Sequence, residues 1–192
     1  MDSEVGASIL WNAYLLGDIE GKVIADLGCG TGMLGIGALL LGAKRAMLVD
    51  SDKKALETCQ KNILKVKSEG YKLDSFELIQ QDVTKLKLKT DVVLQNPPFG
   101  TKVRHNDIVF LEKALETAPV VYSFHKSETK AFLERFSAKK NAKITHVWSF
   151  KFPLKASFSF HRRQIHRIDV SCFKFENLSA IIQNRKQQKV FK

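Results

Sequence analysis

The feature that most constrains the fold is a short apolar run that ends in three closely spaced glycines. Residues 23–27 are Val-Ile-Ala-Asp-Leu, and Gly28, Gly30 and Gly32 follow before an apolar segment begins at Met33. Glycine permits a tight turn and a close approach of a ligand to the backbone, so the pattern predicts a strand, a ligand-binding turn and a helix. A dinucleotide-binding loop needs a further glycine at the place that Met33 occupies, which disfavours a dinucleotide ligand.

Short apolar runs alternate with longer helical stretches along the rest of the chain. Strands are predicted at residues 23–27, 46–50, 76–79, 91–95 and 120–124, and helices at 2–17, 33–41, 52–67, 107–117 and 127–140. Residues 144–150 and 168–175 alternate as an antiparallel pair does. The sequence therefore predicts an α/β fold with a seven-stranded, mostly parallel sheet and an antiparallel C-terminal hairpin. We expect a single domain over residues 1–178 and a basic tail at 179–192, with Asp52 and Ser127 capping helices.

Cysteine usage and hydropathy indicate the compartment. Cys29, Cys59 and Cys172 have neither the spacing of a disulfide framework nor that of a metal site, which favours a reducing environment. No apolar run approaches the roughly 20 residues of a membrane span, and acidic residues precede the first apolar segment, unlike a signal peptide. We therefore expect a cytoplasmic protein that binds neither membrane nor metal.

The positive charge is concentrated at the end of the chain. Residues 139–192 carry 13 of the 31 Lys and Arg residues but only two acids, Asp169 and Glu176, so they hold the whole net charge of +11. Aromatic residues are interleaved with these cations, a combination that favours contact with nucleic acid. A basic surface that only aids solubility is the alternative.

A second candidate site follows the apolar run at residues 91–94. Asn96 comes next, and Pro97 and Pro98 end the strand and stiffen the loop. The Asn96 side chain and the Pro97 carbonyl are hydrogen-bond acceptors, and Phe99 offers a flat face, so this loop suits a planar, amino-bearing group such as a nucleobase. An ordinary Pro-Pro turn with a core phenylalanine is the alternative. The carboxyl edge of a parallel sheet, where the loop is expected, is where open α/β folds bind ligands.

The glycine loop and two later acids resemble the S-adenosylmethionine site of class I methyltransferases. Asp50 ends the second strand, where an acid accepts hydrogen bonds from ribose hydroxyls, and Asp82 follows the third strand, where an acid accepts from the adenine amino group. Helix capping by Asp50 and simple exposure of Asp82 are the alternatives. The expected cofactor-binding residues are Asp26, Gly28, Gly30, Gly32, Asp50, Ser51, Asp82, Val83 and Asn96.

Three longer segments resemble the methyltransferase-like protein five family, which methylates adenine N6 in small-subunit ribosomal RNA. They are Asn-Pro-Pro-Phe-Gly-Thr-Lys at 96–102, Val-Tyr-Ser-Phe-His-Lys-Ser at 121–127 and Phe-His-Arg-Arg at 160–163. The resemblance implies a Rossmann-like class I fold, S-adenosylmethionine as methyl donor, and an adenine held by Asn96, Pro97, Pro98 and Phe99. Enzymes that methylate protein glutamine share the Asn-Pro-Pro-aromatic motif, so this alternative stays open, as does a non-catalytic subunit that binds RNA or a partner.

The resemblance also implies macromolecular partners. Ribosomal RNA is expected to contact a basic patch formed by Lys126, His161, Arg162, Arg163 and Arg167. His125, at the catalytic edge, is a further candidate for substrate contact.

Eukaryotic members of the resembled family are held by a small zinc-binding activator protein that pairs with a sheet edge. We expect Ile24, Met47 and Leu48 to be exposed on edge-side elements where such a partner could dock. Family members also carry an N-terminal segment, ending in a Leu-Glu-Gln-Tyr-type motif, that helps close the site over the donor. This chain begins just after the corresponding point; truncation, a misassigned start and true absence of the segment are the alternatives, and donor affinity and activity are expected to depend on which of them holds.

Overall fold

The computed structural model describes residues 2–73, 75–98, 106–153 and 167–178. Phe99, the basic residues His161, Arg162 and Arg163, and the tail at 179–192 lie outside the described residues. Arg167 is described only as the first residue of a strand.

The chain forms helices and strands in the alternating order that the sequence predicts. The helices are α1 (Ser3–Leu15), α2 (Met33–Leu40), α3 (Lys53–Ser68), α4 (Asn106–Thr117) and α5 (Lys130–Lys139). The strands are β1 (Val23–Leu27), β2 (Arg45–Asp50), β3 (Phe76–Gln80), β4 (Val92–Gln95), β5 (Val120–Lys126), β6 (Ala142–Pro153) and β7 (Arg167–Asn177). The longest described helix, α3, has 16 residues, and no described helix combines the length and the apolar character that a membrane crossing requires.

The seven strands form one sheet in the order β3-β2-β1-β4-β5-β7-β6. The strands from β3 to β5 are parallel, whereas β7 runs antiparallel to both β5 and β6. The predicted fold class is therefore confirmed, including the antiparallel C-terminal hairpin. The strand order reverses between β1 and β4, and a ligand of an open α/β sheet binds at the carboxyl ends of such a pair.

Helices cover both faces of the sheet, which explains why its central strands are apolar on both sides. Side chains of α1, α2 and α3 pack on one face, around the buried Ile9, Ile24 and Leu48. Side chains of α4 and α5 pack on the other face, where Leu111 and Leu133 contact the core. Alternate residues of each strand therefore belong to different cores.

Two details differ from the expectations. Ile24 and Leu48 are fully buried and Met47 is half-buried, because β1 and β2 are interior strands whose faces are covered by helices; the expectation that these three residues are exposed at an edge is wrong. Ser127 does not cap a helix with its side chain. It begins a short 3-10 turn, and its hydroxyl lies 2.7 Å from the Ser171 hydroxyl instead. Asp52 caps α3 as predicted, accepting from the Lys54 amide.

A buried ion cluster ties the loop before β1 to the antiparallel part of the sheet. Lys174 is 5% exposed, and its Nζ lies 2.8 Å from Asp18 Oδ2 and 3.1 Å from Glu176 Oε1. The Tyr122 hydroxyl donates to the same Asp18 oxygen at 2.7 Å. Burial, followed by the Asp18 carboxylate, raises the pKa of Tyr122, which keeps the hydroxyl protonated as a donor. A buried charge is tolerated when its partners surround it in this way.

Replacing Asp18 by Asn should therefore destabilise the fold. Removal of one partner from a buried ion pair costs about 3 kcal/mol or more of unfolding free energy, measured by urea denaturation. Glu77→Gln is the matched control, because Glu77 pairs with Arg45 at the surface at 2.6 Å and such pairs contribute less than about 1 kcal/mol. Equal losses in the two variants would contradict the assigned importance of the cluster.

Candidate active site

The glycine loop leaves β1 at Leu27 and enters α2 at Met33. Gly28, Gly30 and Gly32 have φ angles of +68°, +54° and +86°, a region that strains other residues. Gly32 is also enclosed, since a Cβ there would lie 2.4 Å from Cys59 Sγ. The backbone conformation and the packing thus both require glycine at position 32.

Asp26 lies beneath this loop rather than in an open cleft. It is 2% exposed, and its Oδ2 accepts a hydrogen bond from the Gly35 amide of α2 at 2.8 Å. Burial raises the pKa of Asp26 from its ordinary value of 3.8 to about 7; the Gly35 bond opposes this shift and the nearby Asp50 carboxylate adds to it. Asp26 therefore joins the end of β1 to the start of α2 and supports the loop from below.

Asp50 connects the glycine loop to the loop after β2. Its Oδ2 accepts from the Gly30 amide at 2.8 Å, and its Oδ1 accepts from the Asp52 amide at 2.9 Å. A carboxylate has about four acceptor positions, so each oxygen can accept a further bond from a ligand hydroxyl. Asp50 is thus both a structural link and a candidate acceptor.

Asp82 begins the 3-10 turn Val83–Lys85. Its Oδ1 accepts from the Thr84 amide at 2.8 Å and from the Thr84 hydroxyl at 2.7 Å. These two bonds lower the pKa of Asp82, so it is ionised near neutral pH and can accept from an amino group.

A cleft of about 360 Å³ opens at the carboxyl edge of the sheet between these loops. It is lined by Gly28, Val49, Asp50, Ser51, Gln81, Asp82, Val83, Thr84, Pro98 and Phe110. Five of the expected cofactor-binding residues therefore meet here, and Pro98 joins them from the loop after β4. Asp26, Gly30, Gly32 and Asn96 do not line this cleft.

Phe110, Gln81 and Thr84 line the cleft although the sequence analysis did not select them. Phe110 lies on α4, and its ring Cε1 would be 3.0 Å from a Cβ on Gly28. The helical pattern of α4 marks Phe110 as an apolar position, but no local signal shows which side of the helix faces the glycine loop.

The Asn-Pro-Pro motif begins at the same edge of the sheet. Gln95, the last residue of β4, is in register with Leu27 of β1, so Asn96 emerges beside the start of the glycine loop. Asn96 is half-buried, Pro97 is buried and Pro98 is exposed. Lys126 ends the neighbouring β5, where its Nζ lies 3.7 Å from Glu128 Oε1.

The cleft has the chemistry that a nucleoside ligand requires. The Asp50 and Asp82 carboxylates supply acceptors, whereas Val49, Val83 and Phe110 supply an apolar slot for a flat ring. Among the described residues, no group of three His, Cys, Asp or Glu side chains could hold a metal ion. The parallel sheet, the glycine loop and the strand-end acids together define a class I methyltransferase.

Comparison with known proteins identifies the family. The model of the family described as "Conserved hypothetical protein 95" matches residues 9–148. The rRNA N(6)-adenosine-methyltransferase Mettl5 of Drosophila melanogaster is 36% identical over 163 residues, covering 83% of this chain and 76% of that protein. The chain belongs to this family of Mettl5-like methyltransferases.

Archaeal proteins are equally similar. MJ0284 of Methanocaldococcus jannaschii is 37% identical over 185 residues, covering 93% of this chain and 83% of that protein. The crystal structure of a putative RNA methyltransferase, PH1948 from Pyrococcus horikoshii, superposes with a TM-score of 0.78 at 40% identity, covering 91% of this chain and 84% of that one.

Replacing Gly32 by Ala should disrupt the loop. The positive φ angle costs roughly 1–2 kcal/mol, and the overlap with Cys59 adds about 1–3 kcal/mol of overpacking. Gly70→Ala is the matched control, because Gly70 has a φ of +94° but no atom within 4 Å of the added Cβ. Urea denaturation should show the larger loss for Gly32→Ala, and a second substitution, Cys59→Ala, should recover part of it. Equal losses without recovery would show that packing at Gly32 is unimportant.

The raised pKa of Asp26 predicts a pH-dependent stability. Between 3.8 and about 7, the folded state retains a proton that the unfolded state has lost, so this group lowers stability as the pH rises through that range. The slope is at most about 1.4 kcal/mol per pH unit. Asp26→Asn keeps an acceptor for the Gly35 amide but cannot ionise, so its stability relative to the wild type should increase from pH 4 to pH 7. Parallel pH profiles of unfolding free energy would exclude a raised pKa.

Proposed function

We propose that this protein transfers a methyl group from S-adenosylmethionine to N6 of an adenosine in RNA, with small-subunit ribosomal RNA as the substrate. The observation that supports this proposal is that the Asn-Pro-Pro loop and the nucleoside-sized cleft adjoin, since Pro98 lines the cleft that Asp50 and Asp82 also line. Membership in a family with named rRNA N(6)-adenosine-methyltransferases favours adenine in RNA over protein glutamine and over a non-catalytic binding role.

Each part of the cleft matches one part of the methyl donor. In the proposed complex, Asp50 accepts from the ribose hydroxyls, and Asp82 accepts from the adenine amino group. Phe110 and Val83 enclose the adenine ring, while the glycine loop lets the donor approach the backbone. When bound, S-adenosylmethionine supplies a methyl group on a sulfonium, which is already a strong electrophile.

The Asn-Pro-Pro-Phe loop then has the task of orienting the target amine. The Asn96 side-chain oxygen and the Pro97 carbonyl accept the two N6 hydrogens, which turns the nitrogen lone pair towards the donor. The two prolines stiffen this arrangement, and Phe99 stacks on the base. As the bond from N6 to the methyl carbon forms and the methyl–sulfur bond breaks, the amine becomes cationic, so these acceptors stabilise the transition state more than the substrate. The cationic amine then releases one N6 proton to solvent.

The target base has to leave its helix or loop to reach this site, which costs a few kcal/mol of unstacking. Phosphate contacts from Lys126, His161, Arg162, Arg163 and Arg167 supply binding energy for that step in the proposed complex. Such contacts weaken strongly as the salt concentration rises.

The proposal includes a cytoplasmic location and a small zinc-binding activator protein that pairs with an edge of the sheet. Since β1 and β2 are interior, the strands that offer an unpaired edge in the described sheet are β3 and β6. The three cysteines are buried and unpaired, as a reducing compartment favours.

Methyl transfer to RNA tests the proposal directly. Purified protein, with and without a candidate activator, is incubated with ribosomal RNA and labelled S-adenosylmethionine, and N6-methyladenosine is quantified after nuclease digestion. Asn96→Ala should lower kcat by about 100-fold or more, as loss of one transition-state hydrogen bond does elsewhere. Asn12→Ala, which removes a half-buried amide of α1 that donates to the Ser8 carbonyl, is the matched control and should retain activity. Asp50→Ala should abolish binding of the donor in calorimetry.

Label found in a protein substrate and absent from RNA would overturn the proposed substrate. A donor affinity unaffected by Asp50→Ala would overturn the assigned cofactor site.

A further inference from the structure

A row of polar side chains, three of them fully buried, connects the end of β4, where the Asn-Pro-Pro motif follows, to the start of α4. Gln95 immediately precedes Asn96, and Asp107 lies in the first turn of α4, where the described chain resumes. Between them, Gln95 Nε2 donates to Ser123 Oγ at 2.9 Å, Ser123 Oγ lies 2.7 Å from His125 Nε2, and His125 Nδ1 lies 3.2 Å from Asp107 Oδ2. We call these four residues the relay.

The sheet brings the relay together. Gln95 and Ser123 are opposite each other in the parallel pair of β4 and β5, and Ser123 and His125 share one face of β5 because side chains alternate along a strand. That face is covered by α4, which supplies Asp107. Phe173 and Phe175 pack against the His125 imidazole in edge-type ring contacts, with centroid distances of 6.1 and 6.5 Å.

The two ends of the relay restrict its hydrogen bonds. The bond from His125 lowers the pKa of Asp107, so Asp107 is a carboxylate that accepts, and His125 Nδ1 has to donate. At the other end the Gln95 Nε2 group can only donate, so Ser123 accepts there. Of the two neutral tautomers of His125, the one that fits both ends carries its hydrogen on Nδ1 and accepts the Ser123 hydroxyl hydrogen at Nε2.

Stability alone does not explain the amide at position 95. Gln95, Ser123 and His125 are all 0% exposed, and Gln95 Oε1 has no hydrogen-bond partner among the described residues. A buried acceptor without a partner destabilises the folded state. An apolar side chain of the same length would avoid this loss.

We propose that the relay positions the Asn-Pro-Pro loop for methyl transfer: through Gln95 it fixes the backbone that presents Asn96, and through Asp107 it fixes the start of the helix beyond the loop. This inference rests on the proposed function. Gln95, Ser123 and His125 are fully buried, which argues against direct contact with the substrate, including the His125 contact considered from the sequence. In this proposal the four side chains act through the backbone that they hold and are positioning residues.

The kcat, KM and Kd values of relay variants distinguish a role in positioning Asn96 from a role in packing the core. Gln95→Met and Ser123→Ala should each lower kcat by about 10- to 100-fold, because small displacements of a reacting group have effects of that size. The KM for RNA and the Kd for S-adenosylmethionine should change by less than about threefold, since none of the four relay residues lines the donor cleft. Gln95→Met should also be at least as stable as the wild type in urea.

Two controls sharpen the test. Ser137→Ala removes another buried serine hydroxyl, one that donates to the Glu134 carbonyl in α5, and should leave kcat unchanged. Asp107→Asn keeps an acceptor for His125 Nδ1 and should retain most of the activity that Asp107→Ala loses.

The histidine tautomer provides a readout that needs no activity. Nitrogen-15 NMR of the His125 ring should show the Nδ1–H form in the wild type and its loss in Asp107→Ala. A wild-type ring with its hydrogen on Nε2 alone, and none on Nδ1, would overturn the relay. Normal kcat in Gln95→Met and Ser123→Ala, beside an active wild type, would overturn the positioning role alone. A wild type that binds donor but transfers no methyl group to RNA would instead overturn the proposed function.

Discussion

Three hydrogen bonds attach the glycine loop to the end of β2, and the geometry of the whole cofactor cleft depends on them. The amides of Gly28 and Cys29 donate to the Val49 carbonyl at 2.8 and 3.0 Å, and the Gly30 amide donates to Asp50 at 2.8 Å. The loop can turn this sharply only because its glycines adopt positive φ angles. The Asp50 carboxylate, the candidate acceptor for the ribose hydroxyls, therefore also fixes the backbone of the glycine loop. A substitution of Asp50 would affect both the loop conformation and ligand binding.

The two functional loops are held by different means on opposite faces of the sheet. Asp26 points to the face covered by α2 and fastens the glycine loop from below. Gln95 points to the face covered by α4 and joins the Asn-Pro-Pro loop to the relay. Asp26 and Gln95 have no hydrogen-bond partner in common. In the proposed function, the loop at the donor therefore depends on Asp26, and the loop at the target amine depends on the relay.

Local patterns in the sequence predict the fold and the acids that line the cleft. They do not predict which side chains become buried, or enter the cleft, through the order of the strands and the packing of the helices. The glycine loop, Asp50 and Asp82 are recognisable because each follows its strand directly. The burial of Ile24 and Leu48 is not recognisable in this way. Whether a strand is interior or at an edge depends on pairing between distant segments of the chain. Phe110 enters the cleft for a similar reason, since the packing of α4 on the sheet sets its direction.

Two buried polar side chains whose environment lowers the stability of the folded state, Asp26 and Gln95, lie near the loops that carry the proposed chemistry. Lys174 has two carboxylate partners, as a buried charge that serves stability requires. Burial of Asp26, by contrast, destabilises its ionised form and raises its pKa to about 7. The Gln95 side-chain oxygen has no hydrogen-bond partner among the described residues. Folded proteins tend to depart from stability rules at functional sites. The raised pKa of Asp26 and the unpartnered oxygen of Gln95 both occur at the ends of the adjacent strands β1 and β4. Their common location supports a site that uses the glycine loop and the Asn-Pro-Pro loop together.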